Sequence, residues 1–357
     1  MTENRVLTDP YEYTGATDAQ IGYGKDAVES DFLEYRSKDG QLLNLYKTRP
    51  LGMEEDESLS TVIMPASHDY RLEPLWMKRA DILASNLGVE VVAVDTPGTV
   101  GLLKPDGVGG YEAYDETTRL DGASQTMGQL VSALSGNFTP HAKLQLEAVS
   151  AVTDLDKSKD IYLFGESMGA SVSVDMMKLA QEAGLPVTAV VLYEMVNIFK
   201  KYDPSKPLGL MKTLPGIEND RRNIYLNENK DIGHPQLAFE MTSERNARLD
   251  KARKGMGQQG VASAVNGLGM AKGRLDDIID NSIVSGVDEV HLFRGAQSNA
   301  SLRKDYDLAL DAMRWAGVDV HAHDVYDRAG SVDMGHSHLV SLGRQADVAS
   351  YLKKIIS

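Results

Sequence analysis

Ile161-Tyr162-Leu163-Phe164-Gly165-Glu166-Ser167-Met168-Gly169-Ala170 is the stretch whose reading decides the fold. Ile161 to Gly165 is a short apolar run of the kind that forms a buried strand. From Ala170 to Ala183 the apolar spacing is helical, and Gly184 closes it. Between them stands G-x-S-x-G, from Gly165 to Gly169. A tight strand-to-helix turn at this point strains the serine backbone and lifts its hydroxyl clear of the sheet. Flanking glycines remove the side chains that would collide across the turn. The helix start just behind Ser167 adds positive potential and unbonded N–H groups.

Working outward, the same alternation repeats. Upstream, Ser60 to Ala66 (STVIMPA) is a β-branched apolar run ending near Pro65. Apolar residues at helical spacing follow from Leu72 to Leu87, stopped by Gly88. VEVVAVD is a strand ending at Asp95, and Leu144 to Leu155 reads as a helix. Thr96 to Ser135 is Gly-rich and read as irregular. Downstream, VTAVVLYE is a strand ending at Glu194. Strands alternating with helices predict the α/β class, with a mostly parallel sheet covered by helices on both faces. Earlier, Asp39-Gly40 sits between two alternating segments and signals a hairpin.

The alternation lapses between 197 and 285, which is polar, with helical pieces and no convincing strand. It resumes with VDEVHLFRG, a helix over Arg303 to Ala316, the strand VDVHAHDVY and an amphipathic helix from Leu339 to Ile356. The expected organisation is an arm at 1–30, a core at 31–196 and 286–357, and a helical cap inserted at 197–285.

With these elements in place the chain resembles the α/β-hydrolase superfamily. The resemblance runs from about Phe32 to the C-terminus. It rests on the hairpin, the strand ending near Pro65, the turn Asp95-Thr96-Pro97-Gly98-Thr99-Val100-Gly101, the elbow at Ser167, the position of the insertion, and Gly335-His336. It implies a serine hydrolase acting on a carboxylic ester or thioester, with Ser167 as nucleophile and His336 as base. His338 is the rival base. Asp95 is implied to organise a turn. The family's G-x-x-D turn reads Gly295-Ala296-Gln297-Ser298-Asn299 here, without a carboxylate. Some members carry the acid after the strand that follows the nucleophile helix, which implies Glu194. Asp333 and then Asp327 are the reserves. The oxyanion hole is implied to use the backbone N–H groups of Met168 and Ser67, with Ala66 as the alternative to Ser67. Two other classes remain open: a catalytically inactive binding or structural protein on the same fold, and an acyltransferase or an amidase or peptidase.

Composition bounds the rest. The formal net charge of −15 disfavours general binding to nucleic acid. The chain has no cysteine, so disulfides and thiolate metal sites are excluded. The polar N-terminus lacks a signal-peptide pattern, and no apolar run reaches the roughly 18 residues of a membrane span. The expectation is a cytoplasmic protein with a small-molecule ester or acyl substrate and no cofactor. His321 and His323, with Asp324, are read as a polar strand end and not as a metal site.

Overall fold

The computed structural model describes residues 28–53, 58–66, 74–97, 103–105, 111–113, 125–195, 198, 258–270, 272–295, 303–325 and 352–356. In chain order these form β1 (Val28–Arg36), β2 (Leu42–Pro50), β3 (Thr61–Pro65), α1 (Pro74–Leu87), β4 (Glu90–Val94), β5 (Leu103–Pro105) and β6 (Tyr111–Ala113). Then come α2 (Met127–Leu134), α3 (Thr139–Val152), β7 (Ile161–Glu166), α4 (Met168–Glu182) and β8 (Val187–Tyr193). The last described elements are α5 (Gln258–Met270), α6 (Leu275–Ser285), β9 (Glu289–Gly295), α7 (Arg303–Trp315) and β10 (Val320–Val325).

Eight strands form one sheet in the order β1-β2-β4-β3-β7-β8-β9-β10. From β4 to β10 every neighbouring pair is parallel, and β1 and β2 join antiparallel at one edge. Parallel neighbours need a crossover to bring the chain back to the same end, and α4 supplies it between β7 and β8. β5 and β6 form a separate antiparallel pair.

Both sheet faces are covered, which is why the parallel strands read as continuous apolar runs. On one face Ile63, Val92, Leu163, Val190, Leu192 and Leu292 pack with residues of α3, α4, α6 and α7. On the other, Val62, Met64, Val91, Phe164, Val191, Tyr193 and Phe293 meet Met77, Ile82 and Leu83 of α1 and Leu352 and Ile356 near the C-terminus. Successive residues of one strand thus divide between two cores, as the period of two requires.

The structure departs from the sequence reading in several places. The first strand starts at Val28, inside the stretch read as an arm. α3 starts at Thr139, five residues before Leu144, with a proline in its first turn. Within the stretch read as irregular lies α2, begun by a capping box: Gln129 N–H donates to Thr126 Oγ1, and Thr126 N–H donates to Gln129 Oε1. Of 197–285, the described parts are 198, 258–270 and 272–285. α5 packs on α2 and α6 on α4. A buried ion pair, Arg274 Nη2 to Asp175 Oδ1 at 2.6 Å, ties the start of α6 to α4. Among the described residues no helix is long and apolar enough to cross a membrane.

Candidate active site

Ser167 sits between β7 and α4, with φ 53° and ψ −113°. No comfortable L-residue conformation lies there, and the cost is of order 1–3 kcal/mol. The two flanking glycines explain how the turn closes. A Cβ on Gly165 would run into the Gly169 carbonyl and come within 2.6 Å of Ala170 Cα. A Cβ on Gly169 would run into the Pro65 carbonyl oxygen. All these obstacles are backbone, so no rotamer change relieves them. The Ser167 N–H donates to the Tyr193 carbonyl at 2.9 Å, extending the β7–β8 ladder through the turn.

Glu194 is the corresponding residue on the neighbouring strand. Glu166 is in register with Tyr193, so Ser167 and Glu194 each stand one step past that pair. Adjacent strands run about 4.8 Å apart. Glu194 is fully buried and holds φ 48°. Among the described residues, Ser167 and Glu194 are the only non-glycine residues with positive φ. Strained backbone concentrates at functional sites. Two further hydrogen bonds fix this corner. Glu194 N–H donates to the Phe293 carbonyl at 2.7 Å, and the next residue, Met195, donates its N–H to Tyr306 Oη at 3.0 Å. Tyr306 in turn donates to the Phe293 carbonyl at 3.2 Å. Tyr306 carries no motif, so the sequence reading does not single it out.

The residue before the nucleophile is also anchored. Arg79 Nη1 on α1 donates to Glu166 Oε2 at 2.6 Å, and both side chains are buried (1% and 0% exposed). The Arg79 guanidinium also lies 5.6 Å from the centroid of the Phe164 ring.

The oxyanion-hole candidates separate. Met168 is the first residue of α4, where an N–H has no acceptor within the helix. The N–H of Ala66, the alternative to Ser67, donates to the Val94 carbonyl at 2.9 Å. Ala66 is therefore committed to the β3–β4 ladder and is withdrawn as a donor. The end of β3 lies against the first turn of α4, since the Pro65 carbonyl blocks any Cβ on Gly169. Ser67, His336, His338, Asp327 and Asp333 lie outside the described residues. Asp95 is buried at the end of β4: its N–H donates to the Asn44 carbonyl of β2 at 3.0 Å, and its carbonyl accepts from Gln145 Nε2 at 2.8 Å.

Two other histidine environments are built into the core. His141 on α3 is buried, its Nε2 2.7 Å from Gln125 Nε2, and desolvation pushes its pKa down to about 4. On β9 and β10, His291 Nδ1 and His323 Nε2 lie 3.1 Å apart. Burial and then the neighbouring imidazoles lower His323 to about 3, and His291 is lowered first by burial and then by His321.

The site therefore occupies the carboxyl ends of parallel strands at mid-sheet, where open α/β sheets bind ligands. A strained serine, a helix start and a buried carboxylate meet there. The chain shares the fold of the α/β-hydrolases. A serine hydrolase from Cycloclasticus zankles matches with a TM-score of 0.53 and 11% identity, covering 91% of this chain and 96% of that one. A putative acyltransferase from Salmonella enterica matches with a TM-score of 0.53 and 13% identity, covering 92% and 95%. A thermostable carboxyl esterase from Bacillus coagulans matches with a TM-score of 0.50 and 13% identity, covering 92% and 99%. Against the longer Porphyromonas gingivalis dipeptidyl peptidase 4, with a TM-score of 0.46, the chain spans 35% of that protein's length. No protein-family model and no curated protein matches the sequence.

Proposed function

We propose that the protein is a serine hydrolase that cleaves a carboxylic ester or thioester through an acyl-enzyme on Ser167. The carrying observation is the backbone of Ser167, held at φ 53° at a strand–helix junction beside the buried Glu194. Ser167 Oγ attacks the carbonyl carbon while His336 takes its proton. The oxyanion accepts hydrogen bonds from the N–H groups of Met168 and Ser67. The imidazolium then protonates the leaving alkoxide or thiolate as the carbon–oxygen or carbon–sulfur bond breaks. Water repeats the sequence and releases the acid. Glu194 orients the imidazole and stabilises its cation without taking the proton. Acyl specificity is assigned to the stretch 197–285 and the loop from Thr96 to Ser135. The esterase and serine hydrolase that share the fold support this reading. The acyltransferase that shares it keeps transfer to an alcohol or amine as the second reading.

The test is labelling with a fluorophosphonate, the adduct mapped by mass spectrometry, beside Ser167→Ala and His336→Ala. Labelling confined to Ser167 and slowed by at least about 10³-fold without His336 is expected. A panel of p-nitrophenyl esters, acyl thioesters and anilides then sorts the substrate class, and added alcohol or amine shows any transfer. A folded protein that neither labels nor turns over any of these substrates would overturn the enzyme reading in favour of a binding protein.

A further inference from the structure

The edge of the sheet away from the hairpin carries a second cluster of ligating groups. β9 and β10 run parallel with His321 in register with His291. The period of two puts Glu289 and His291 on the same face as Asp319, His321 and His323. Glu289 and Asp319 stand two residues before the paired histidines, so the carboxylates are neighbours as well.

The side chains converge accordingly. His291 Nε2 is 3.0 Å from Glu289 Oε2, and His321 Nε2 is 3.3 Å from Asp319 Oδ1. The His321 Nε2 atom is shielded from solvent and makes no hydrogen bond. One ligand atom each from Glu289, Asp319 and His321 lies within 4.8 Å of the others. The imidazoles of His291 and His321 stack with centroids 5.0 Å apart. His291 is oriented from behind by the 3.1 Å contact of its Nδ1 with His323 Nε2, and His323 is stacked on Phe293 at 4.1 Å. Ligating groups held in place by outer hydrogen bonds, as His291 holds Glu289, are usual at metal centres.

We propose that Glu289, Asp319 and His321 bind one divalent transition-metal ion of the Zn²⁺ type, with His291 holding the Glu289 carboxylate from behind. An imidazole with two carboxylates and no thiolate suits Zn²⁺, Co²⁺ or Ni²⁺ better than Mg²⁺ or Ca²⁺, which prefer oxygen ligands alone. Ligand bonds of about 2.0–2.2 Å set neighbouring donors of a tetrahedral site roughly 3.4 Å apart. The half-exposed carboxylates therefore need to close by about an ångström, which side-chain rotation supplies. Glu289 begins β9, whereas the Ser167 elbow is level with its far end, so the ion is structural. It joins the edge strand β10 to β9, and the proposal does not depend on the hydrolase reading.

Untagged full-length protein, treated with chelator and dialysed, is titrated with Zn²⁺ by calorimetry and with Co²⁺ by visible absorption. One equivalent of Zn²⁺ with a four-coordinate Co²⁺ spectrum is expected, and no binding of Mg²⁺. His321→Ala and Asp319→Asn should each weaken binding by at least about tenfold while circular dichroism shows the fold retained. Both side chains are partly exposed, so loss of folding is not expected from either change. Stoichiometric binding unchanged in both variants, or no saturable binding by the native protein, would overturn the site and leave these groups as ordinary surface side chains.

Discussion

Ser167 and Glu194 share a departure from ordinary backbone geometry, and they do so on adjacent strand ends. Each conformation is held by a ladder bond on its own N–H, to Tyr193 and to Phe293. On this ground we propose Glu194 as the acid. Glu194→Gln keeps the shape and the hydrogen-bonding length but removes the charge. Its kcat on whichever ester proves best should fall by about 10²–10⁴. Asp333→Asn should change kcat by less than tenfold. Steady-state kinetics on the two variants checks the order, and the reverse order would move the acid to Asp333. Ser167 was legible because its constraint is local: two glycines, a strand and a helix within ten residues. Glu194 was legible only as a place at a strand end. Its positive φ and its bond to the strand beyond are tertiary facts that no spacing encodes.

At the level of elements, α1 is locked to the elbow by one pair. Arg79 on α1 meets Glu166 on β7 with both charges out of water. Removing one partner of a buried ion pair typically costs about 3–5 kcal/mol. Arg79→Met should therefore destabilise the protein by that amount in urea denaturation. The double variant Arg79→Met with Glu166→Met should recover most of the loss, because an apolar replacement of a whole buried pair is often near neutral. If the double variant is as unstable as the single one, the pair contributes packing and not charge compensation. The partners are 87 residues apart, so the sequence showed two ordinary charged residues. By contrast, α2 was legible and was passed over. Thr126 and Gln129 carry the capping-box spacing, obscured by the glycines around them. The histidine pairing of β9 and β10 falls between these cases. The alternation along β10 is in the sequence, and the register that sets His321 against His291 is not.

For the whole molecule, buried neutral histidines make stability depend on pH. His141 is held at about 4 and His323 at about 3, against about 6.5 for an unfolded imidazole. Below 6.5 the unfolded chain takes up protons that the folded chain refuses. Stability is therefore complete above about 6.5 and falls progressively as the pH drops towards 4. For His141 the gap between about 4 and 6.5 corresponds to roughly 3 kcal/mol. Urea midpoints measured from about pH 7 down to pH 4 should fall less steeply for His141→Gln than for the native protein. Equal slopes would mean that His141 is hydrated and titrates normally. The sheet order has a different consequence, in time. β3 is flanked by β4, which follows it closely, and by β7, whose partner of Thr61 is Ile161. A ribosome adds about 5–20 residues per second, so the β7 side of β3 waits roughly 5–20 seconds for its neighbour to be synthesised. During that interval an apolar strand edge is open to other nascent chains, so a strand at the middle of the finished sheet is aggregation-exposed while the chain is being made.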